Sequence, residues 1–393
     1  MNIEAIQKEI QKNQALDGWL LYDFHGKNDL IQRFLSVRDG AFLSRRFFYF
    51  IPKYGSPIKI VHFIDLDLVT SLPGTPFIYA SWQELHAILQ SQLRHVKRLA
   101  MEYSPDNAIP TLSKLDAGMA DCIRKLGIDI VSSWPLLSPF VSQIDAKAHK
   151  LQVEAAHILT ETIDEAFRMI ASYIEQEKTL SEYDVQQFIR ERLLQQGCVF
   201  EHLPICAVGK QSAIPHYCPE KSSAQPIKKE DFVLIDAWCK KNEPHAPYAD
   251  FTQVHSFSKK PAQELQRIYS IVYEAQERAI SFLQERIERN EPILGYEVDD
   301  AARRSIAQHG LAHTFIHRTG HSIDTSLHGS GVNFDNFETH DTRSILPGTS
   351  YSIEPGIYLP DSFGVRLECN VYIPQEGTAV VLLGRAKPSL PHV

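Results

Sequence analysis

A chain of 393 residues with 44% apolar side chains is long enough for two domains, each with its own core. Its formal net charge of −8 and lack of any basic stripe argue against a nucleic-acid partner. No apolar run approaches membrane-spanning length, and the charged N-terminus lacks the apolar core of a secretory signal, so a soluble, cytoplasmic protein with no membrane partner is expected.

In chain order, the first third alternates short β-rich runs ("GWLLYD", "RRFFYFIP", "IKIVHFI", "RLAMEY") with helical stretches such as "SWQELHAILQSQLRH". That alternation predicts an α/β domain over residues 1–145, closing where Pro and Ser cluster in "VSSWPLLSPFVSQID". From Ala146 apolar residues recur at helical spacing for a long stretch. A second helix opens with capping-box spacing at Ser181 and Asp184 and closes on Gly197. Two further helices are predicted over 260–289 and 296–309, with strands at "DFVLIDAWC", "YADFTQVHSF", "TSYSIEPGIYL", "GVRLECNVYI" and "GTAVVLLG". Helices gathered around an antiparallel sheet make residues 146–393 an α+β domain. The six cysteines have no CxxC spacing and predict reduced thiols, with Cys218 and Cys369 read as buried structural groups.

Glu354 and Glu368 lie inside otherwise apolar, β-rich segments, where an ionised carboxylate must be paired, hydrogen-bonded or metal-bound. Asp236 ends the apolar run "FVLID" and Asp250 opens "ADFTQV", so the two read as inward-pointing groups on the arms of a β-hairpin. His321 follows Gly320 in a segment too rich in Gly and Thr for a helix interior. Taken singly, each is more simply a turn or loop residue. Four carboxylates and an imidazole packed together would push each other's pKa values up until protons or cations arrived. Oxygen-rich ligation with one nitrogen suits two ions of manganese, cobalt, iron or zinc, which about 3.5 Å apart would activate water and polarise a carbonyl.

The order of these segments resembles the pita-bread metallopeptidases, the family of creatinase, aminopeptidase P, prolidase and methionine aminopeptidase. "LIDAW" with "YADFT" resembles the family's paired Asp hairpin, "HRTGHSIDTSLH" its His segment, "SIEPGIY" its first Glu motif and "VRLE" its second. The resemblance implies a C-terminal pita-bread catalytic domain behind a smaller N-terminal creatinase-like α/β domain. It implies that Asp236 ligates one metal, that His321 and Glu354 ligate the other, and that Asp250 and Glu368 bridge both, with Mn²⁺ the expected ion. It also implies attack by a metal-bridging hydroxide, with Glu354 as proton shuttle, His216 (in "AIPHY") a donor to the substrate, and His328 a donor to the developing oxyanion. Arg366 is expected to hold Glu368, and Thr252 to hold Asp250.

An N-terminal domain of this size resembles the proline-directed branch, so the expected activity is hydrolysis of Xaa-Pro bonds, as Xaa-Pro dipeptidase or aminopeptidase P, in a homodimer. "HRTGH" resembles prolidase more closely. The alternatives are an aminopeptidase of other specificity and a non-catalytic peptide-binding protein, which loss of ligands would mark. Three departures bear on the substrate: a hairpin a few residues longer than the common pattern, Asp324 in place of a usual Gly, and Gln253 in place of a common Arg. Asp324 as an added acid near the site would repel a substrate carboxylate or capture an amine. Arg343 is read either as a contact to a substrate carboxylate or as a structural ion pair.

Overall fold

The four β-rich runs singled out in the first third of the chain all become strands of one sheet. The structure is a computed structural model that describes residues 2–35, 43–377 and 380–392, and its contacts divide into two units, Met1–Val141 and Ser142–Val393.

The first unit comprises α1 (Ile3–Lys12), β1 (Gly18–Asp23), α2 (Asp29–Leu35), β2 (Phe47–Pro52), β3 (Ile58–His62), β4 (Thr75–Tyr79), α3 (Trp82–Gln92), β5 (Arg98–Met101), α4 (Ala117–Arg124), β6 (Asp129–Ser132) and α5 (Trp134–Val141). Its six strands lie in the order β4-β3-β2-β1-β5-β6, all parallel except β2. The β4 strand, "TPFIY", gives no sequence signal because Pro76 breaks its pattern; its position at the sheet edge tolerates the missing N–H. A further difference is α5, which forms within the Pro/Ser cluster read as the domain's close. The N-terminal α1 was also hidden by its charge, yet Ile6 and Ile10, one turn apart, are fully buried.

The second unit comprises α6 (Ala146–Glu175), α7 (Glu182–Gln195), β7 (Cys198–Val199), β8 (Ile205–Val208), β9 (Phe232–Lys241), β10 (Ala249–Ser256), α8 (Gln263–Glu288), α9 (Gly295–Gln308), β11 (Ser322–Ile323), β12 (Thr349–Ile353), β13 (Gly356–Leu359), β14 (Phe363–Arg366), β15 (Cys369–Ile373) and β16 (Val381–Leu383). The capping box at Ser181 and Asp184 opens α7, and Gly197 follows its end at φ +72°, a conformation costly for other residues. The segment "GTAVVLLG" supplies β16, although its residues 378–379 lie outside those described.

Period-two alternation sets what faces the helices and what faces the cleft. Val233, Ile235 and Ala237 of β9 and Phe251 of β10 pack against Ala155, Leu159 and Ile163 of α6. Asp236, opposite Thr252, and Asp250, opposite Trp238, therefore share the other face of the hairpin. The antiparallel sheets of this unit, with long helices against them, form the expected α+β arrangement. No helix among the described residues is long and apolar enough to cross a membrane.

Candidate metal centre

The two four-stranded sheets of the second unit are joined by a side chain at the place where the acids gather. The Asn370 amide takes the role of a neighbouring strand: its Oδ1 accepts from the Asp250 N–H and its Nδ2 donates to the Asp250 carbonyl, each at 2.9 Å. Next to this link the Glu368 N–H donates to the Thr252 carbonyl at 3.0 Å.

Glu354 follows the last residue of β12 and Glu368 precedes the first of β15, so they flank the β13–β14 hairpin where the ladder breaks. Gln276 of α8 fills the break, its Nε2 donating to the carbonyls of Ile353 and Leu367, the residues just before the two glutamates. One buried amide thereby fixes both carboxylates' backbones, and its loss would strand two buried acceptors. His321 enters from the start of β11. A Cβ on the preceding Gly320 would come within 2.1 Å of the Ser352 carbonyl oxygen, so only glycine fits there.

His321 Nδ1 donates to the Ser322 carbonyl at 3.0 Å, which leaves Nε2 as the lone-pair nitrogen. That Nε2 lies 3.6 Å from Asp250 Oδ2 and 3.5 Å from Glu354 Oε1. Asp250, His321 and Glu368 each offer an atom within 4.8 Å of the others. Asp236 and the rest line one cleft of about 700 Å³.

This arrangement is electrostatically unhappy as it stands. Burial, then the Asp236 charge, push Asp250 well above the carboxylate range; burial, then Asp250, do the same to Glu368. Burial also raises Glu354, partly offset by His321, and lowers His321. Asp236 Oδ1 and Glu368 Oε1 are buried without a hydrogen-bond partner. Orphaned carboxylate oxygens are costly, and a set of four carboxylates and one imidazole nitrogen fits divalent cations.

The surrounding contacts correct several sequence expectations. Arg366 bonds Asp236, at 2.6 Å from Nη2, rather than Glu368. Thr252 donates its hydroxyl to Glu368 at 2.8 Å rather than holding Asp250, and itself accepts from Arg366 Nε at 3.0 Å. The cause is register: Thr252 sits opposite Asp236 and beside the crossing to Glu368, so the guanidinium bridges the hairpin to the second sheet. Asp236 is not at a strand end either, since β9 continues to Lys241.

Asp324 is not a wall of the cleft; it accepts from the N–H groups of Ser326 and Ser330 at 2.6 and 2.9 Å and so shapes the loop that carries His328. Arg343 is the structural alternative, with Nε and Nη2 on Asp341 at 2.8 and 2.6 Å. Gln253, on the opposite face of β10 from the acids, is likewise away from the cleft. All six cysteines are free; Cys369 is buried as expected, whereas Cys218 is exposed at the cleft.

His216 and His328 both line the cleft. His328 stacks edge-on to His321, ring centroids 4.5 Å apart, and the neighbouring His321, then burial, hold its pKa down at about 3. His328 is thus neutral near pH 7, with one N–H to donate. Sequence reasoning missed His317, Arg318 and Glu338, which share the cleft. His317 Nε2 meets the Tyr358 hydroxyl at 2.8 Å, and Tyr358 accepts from Arg366 Nη1 at 2.9 Å. The first His of "HRTGH" was the available signal for that chain.

The four carboxylates and His321 thus form a donor set suited to divalent cations, gathered where two antiparallel sheets meet. Comparison with known proteins agrees: the sequence model of metallopeptidase family M24 matches residues 152–375, more than half of the chain, and the chain belongs to that family, with its pita-bread fold. It is 32% identical over 174 residues to the Xaa-Pro dipeptidase of Pyrococcus furiosus, covering 44% of this chain and 45% of that protein. It is 27% identical over 232 residues to the probable dipeptidase PepE of Mycobacterium tuberculosis, covering 58% and 56%. The chain thus spans about half the length of these curated relatives.

Among solved structures, the dipeptidase PepE from Mycobacterium ulcerans superposes with a TM-score of 0.71 at 21% identity, over 100% of this chain and 96% of that one. The Xaa-Pro dipeptidase from Bacillus anthracis gives 0.63 at 22% identity, over 100% of both chains. At such identities the likeness is one of fold.

Proposed function

We propose that this protein is a two-metal exopeptidase that hydrolyses Xaa-Pro dipeptides. The observation that carries the reading is the pair of buried, partnerless carboxylate oxygens on Asp236 and Glu368, within a cluster completed by Asp250, His321 and Glu354. Asp236 would hold one ion, His321 and Glu354 the other, and Asp250 and Glu368 both, with Mn²⁺ the first candidate and Co²⁺, Zn²⁺ or Fe²⁺ suited to the same donors. Bound there, the ions supply Lewis acidity that makes water a nucleophile near neutral pH and polarises the peptide carbonyl.

The protein's own groups do the rest. Glu354, as the carboxylate, takes a proton from the attacking water and gives it to the leaving amine. Neutral His328 donates to the carbonyl oxygen as negative charge grows on it, and His216 contacts the substrate. Arg366, fixed by Thr252, Tyr358 and Asp236, holds Asp236 in place as a buried charge-assisted partner. An Xaa-Pro bond lacks the N–H that many peptidases grip, and nothing in this scheme needs it.

Arg318 favours the dipeptidase over the aminopeptidase P reading. Apart from Arg366 it is the one Arg or Lys among the described residues lining the cleft, and its charge acts on His317, His321 and Glu354. A cation in the cleft fits the free carboxylate of a dipeptide's proline, which in a longer peptide lies at least one residue further on. A non-catalytic binding protein is disfavoured because the full ligand set is present. The reading includes a homodimer, which light scattering checks.

The test is hydrolysis of an Xaa-Pro dipeptide and an Xaa-Pro tripeptide by metal-stripped protein, with and without Mn²⁺. Mn²⁺-dependent cleavage of the dipeptide alone is expected, and Arg318→Ala should raise KM for the dipeptide by about tenfold or more. Cleavage of the tripeptide would replace the reading with aminopeptidase P, and cleavage of neither, with metal bound, would contradict both.

A further inference from the structure

The first unit holds a cavity of about 940 Å³, within the size range of sites for small ligands and cofactors. It opens at the edge of the sheet where β1, β3 and β4 end, at Asp23, His62 and Tyr79. From β1 the chain winds one way through β2, β3 and β4, then α3 carries it back to place β5 and β6 on the other side of β1. Open α/β sheets bind ligands in the crevice outside their carboxyl ends at such a reversal, and α4, which follows β5, supplies Met119 and Cys122 to this one.

Its lining is basic although the chain is acidic overall. Lys27, Arg45, Arg46, Lys114 and Lys125 face it, against Asp23 and Asp116. Both carboxylates are engaged by the protein: Asp23 accepts from the N–H groups of Gly26 and Asn28, and Asp116 from Met119 at the start of α4. Lys114 is paired with Asp29 at 2.7 Å. Among the described residues, the other four cations have no carboxylate within ion-pair distance. The Arg46 charge acts on the Tyr22 and Tyr79 hydroxyls and the Cys122 thiol, groups from β1, β4 and α4. Trp82, the first residue of α3, lines the same cavity with 61% of its surface exposed, its ring met edge-on by His86 at 5.8 Å between centroids.

We infer that the first unit binds a nucleotide-sized organic phosphate, its phosphates against Arg46, Lys125 and Lys27 and its aromatic ring on Trp82. Where cations outnumber the acids beside them the excess charge repels itself, and a polyanion removes that cost. Arg supplies planar paired donors for phosphate oxygens, and an indole face is a general platform for a base. The site lies wholly in the first unit and does not depend on the hydrolytic reading of the second.

The probes are ADP, inorganic pyrophosphate and adenosine, titrated calorimetrically into the full-length protein stripped of metal so that the second unit's cleft does not compete for phosphate. ADP is expected to bind with Kd below ~1 mM and to weaken at least about tenfold in Arg46→Ala/Lys125→Ala, with unfolding temperature and peptide hydrolysis unchanged. Trp82→Ala should weaken ADP but not pyrophosphate. ADP should also slow alkylation of Cys122 but not of Cys218, read peptide by peptide by mass spectrometry. Undetectable ADP binding, binding unchanged in the double variant, or binding lost only in Glu368→Ala would each overturn the inference. Equal binding of pyrophosphate and ADP, with Trp82→Ala inert, would overturn the nucleotide and leave a simple phosphate site.

Discussion

Both units bury acids, and they treat them in opposite ways. In the first, Glu102 accepts from Trp19 Nε1 at 2.8 Å, Ser133 Oγ at 3.0 Å and Asn28 Nδ2 at 3.1 Å, so one carboxyl ties β1, the β1–α2 turn and the segment after β6 together. In the second, Asp236 and Glu368 each keep an oxygen with no donor. The same unit also buries Asp299 with Arg303, Thr319 and Asn336 as donors, so the shortage is local to the cluster. A buried acid with its donors is structure; a group of acids short of donors is a place for cations.

The largest expected effect separates these two kinds of acid. Glu368→Ala should abolish metal-dependent hydrolysis, by roughly 10³-fold or more, while the protein stays folded. Glu102→Ala should do the reverse: it strands three buried donors, each costing about 1–3 kcal/mol, and should lower the unfolding temperature while leaving kcat intact in the surviving folded protein. Loss of hydrolysis in both, or in neither, would erase the distinction.

His328→Ala should lower kcat by roughly 10²-fold, the scale of a lost oxyanion donor, with a smaller change in KM; an effect on KM alone would make it a binding residue. Thr252→Val removes the hydroxyl that bonds Glu368 and accepts from Arg366, and should weaken metal binding by about tenfold, the lower end for groups that orient ligands. The smallest effect is a pH dependence. Burial holds Glu102 at about 7, above the ~4.3 of an unfolded chain, so the folded state keeps the proton longer. Its contribution to stability is full below pH ~4.3 and lost as pH rises through about 7. Glu102→Gln, which cannot ionise, should flatten that part of the unfolding-temperature profile; an unchanged profile would mean the carboxylate is already ionised at low pH.

Much of the second unit was legible because its signals are local. Capping chemistry marked α7, and period-two alternation put Asp236 and Asp250 on one face of a hairpin. Which group holds which acid was not legible, because Arg366, Thr252 and Glu368 meet across two sheets, and sequence order carries no information about that crossing. Asp324 misled for the same reason: its partners are backbone N–H groups of its own loop. In the first unit, β4 and α1 were masked by proline and by charge, and the cavity is assembled from strand ends and helix starts far apart in the chain.

The central claim is that the five clustered side chains hold two metal ions, and metal content tests it most directly. Equilibrium dialysis of stripped protein against Mn²⁺, read by elemental analysis, should give about two ions per chain, and Glu368→Ala should retain fewer than one at the same free concentration. An unaltered protein that takes up no ion, or a folded Glu368→Ala variant that keeps both, would contradict it.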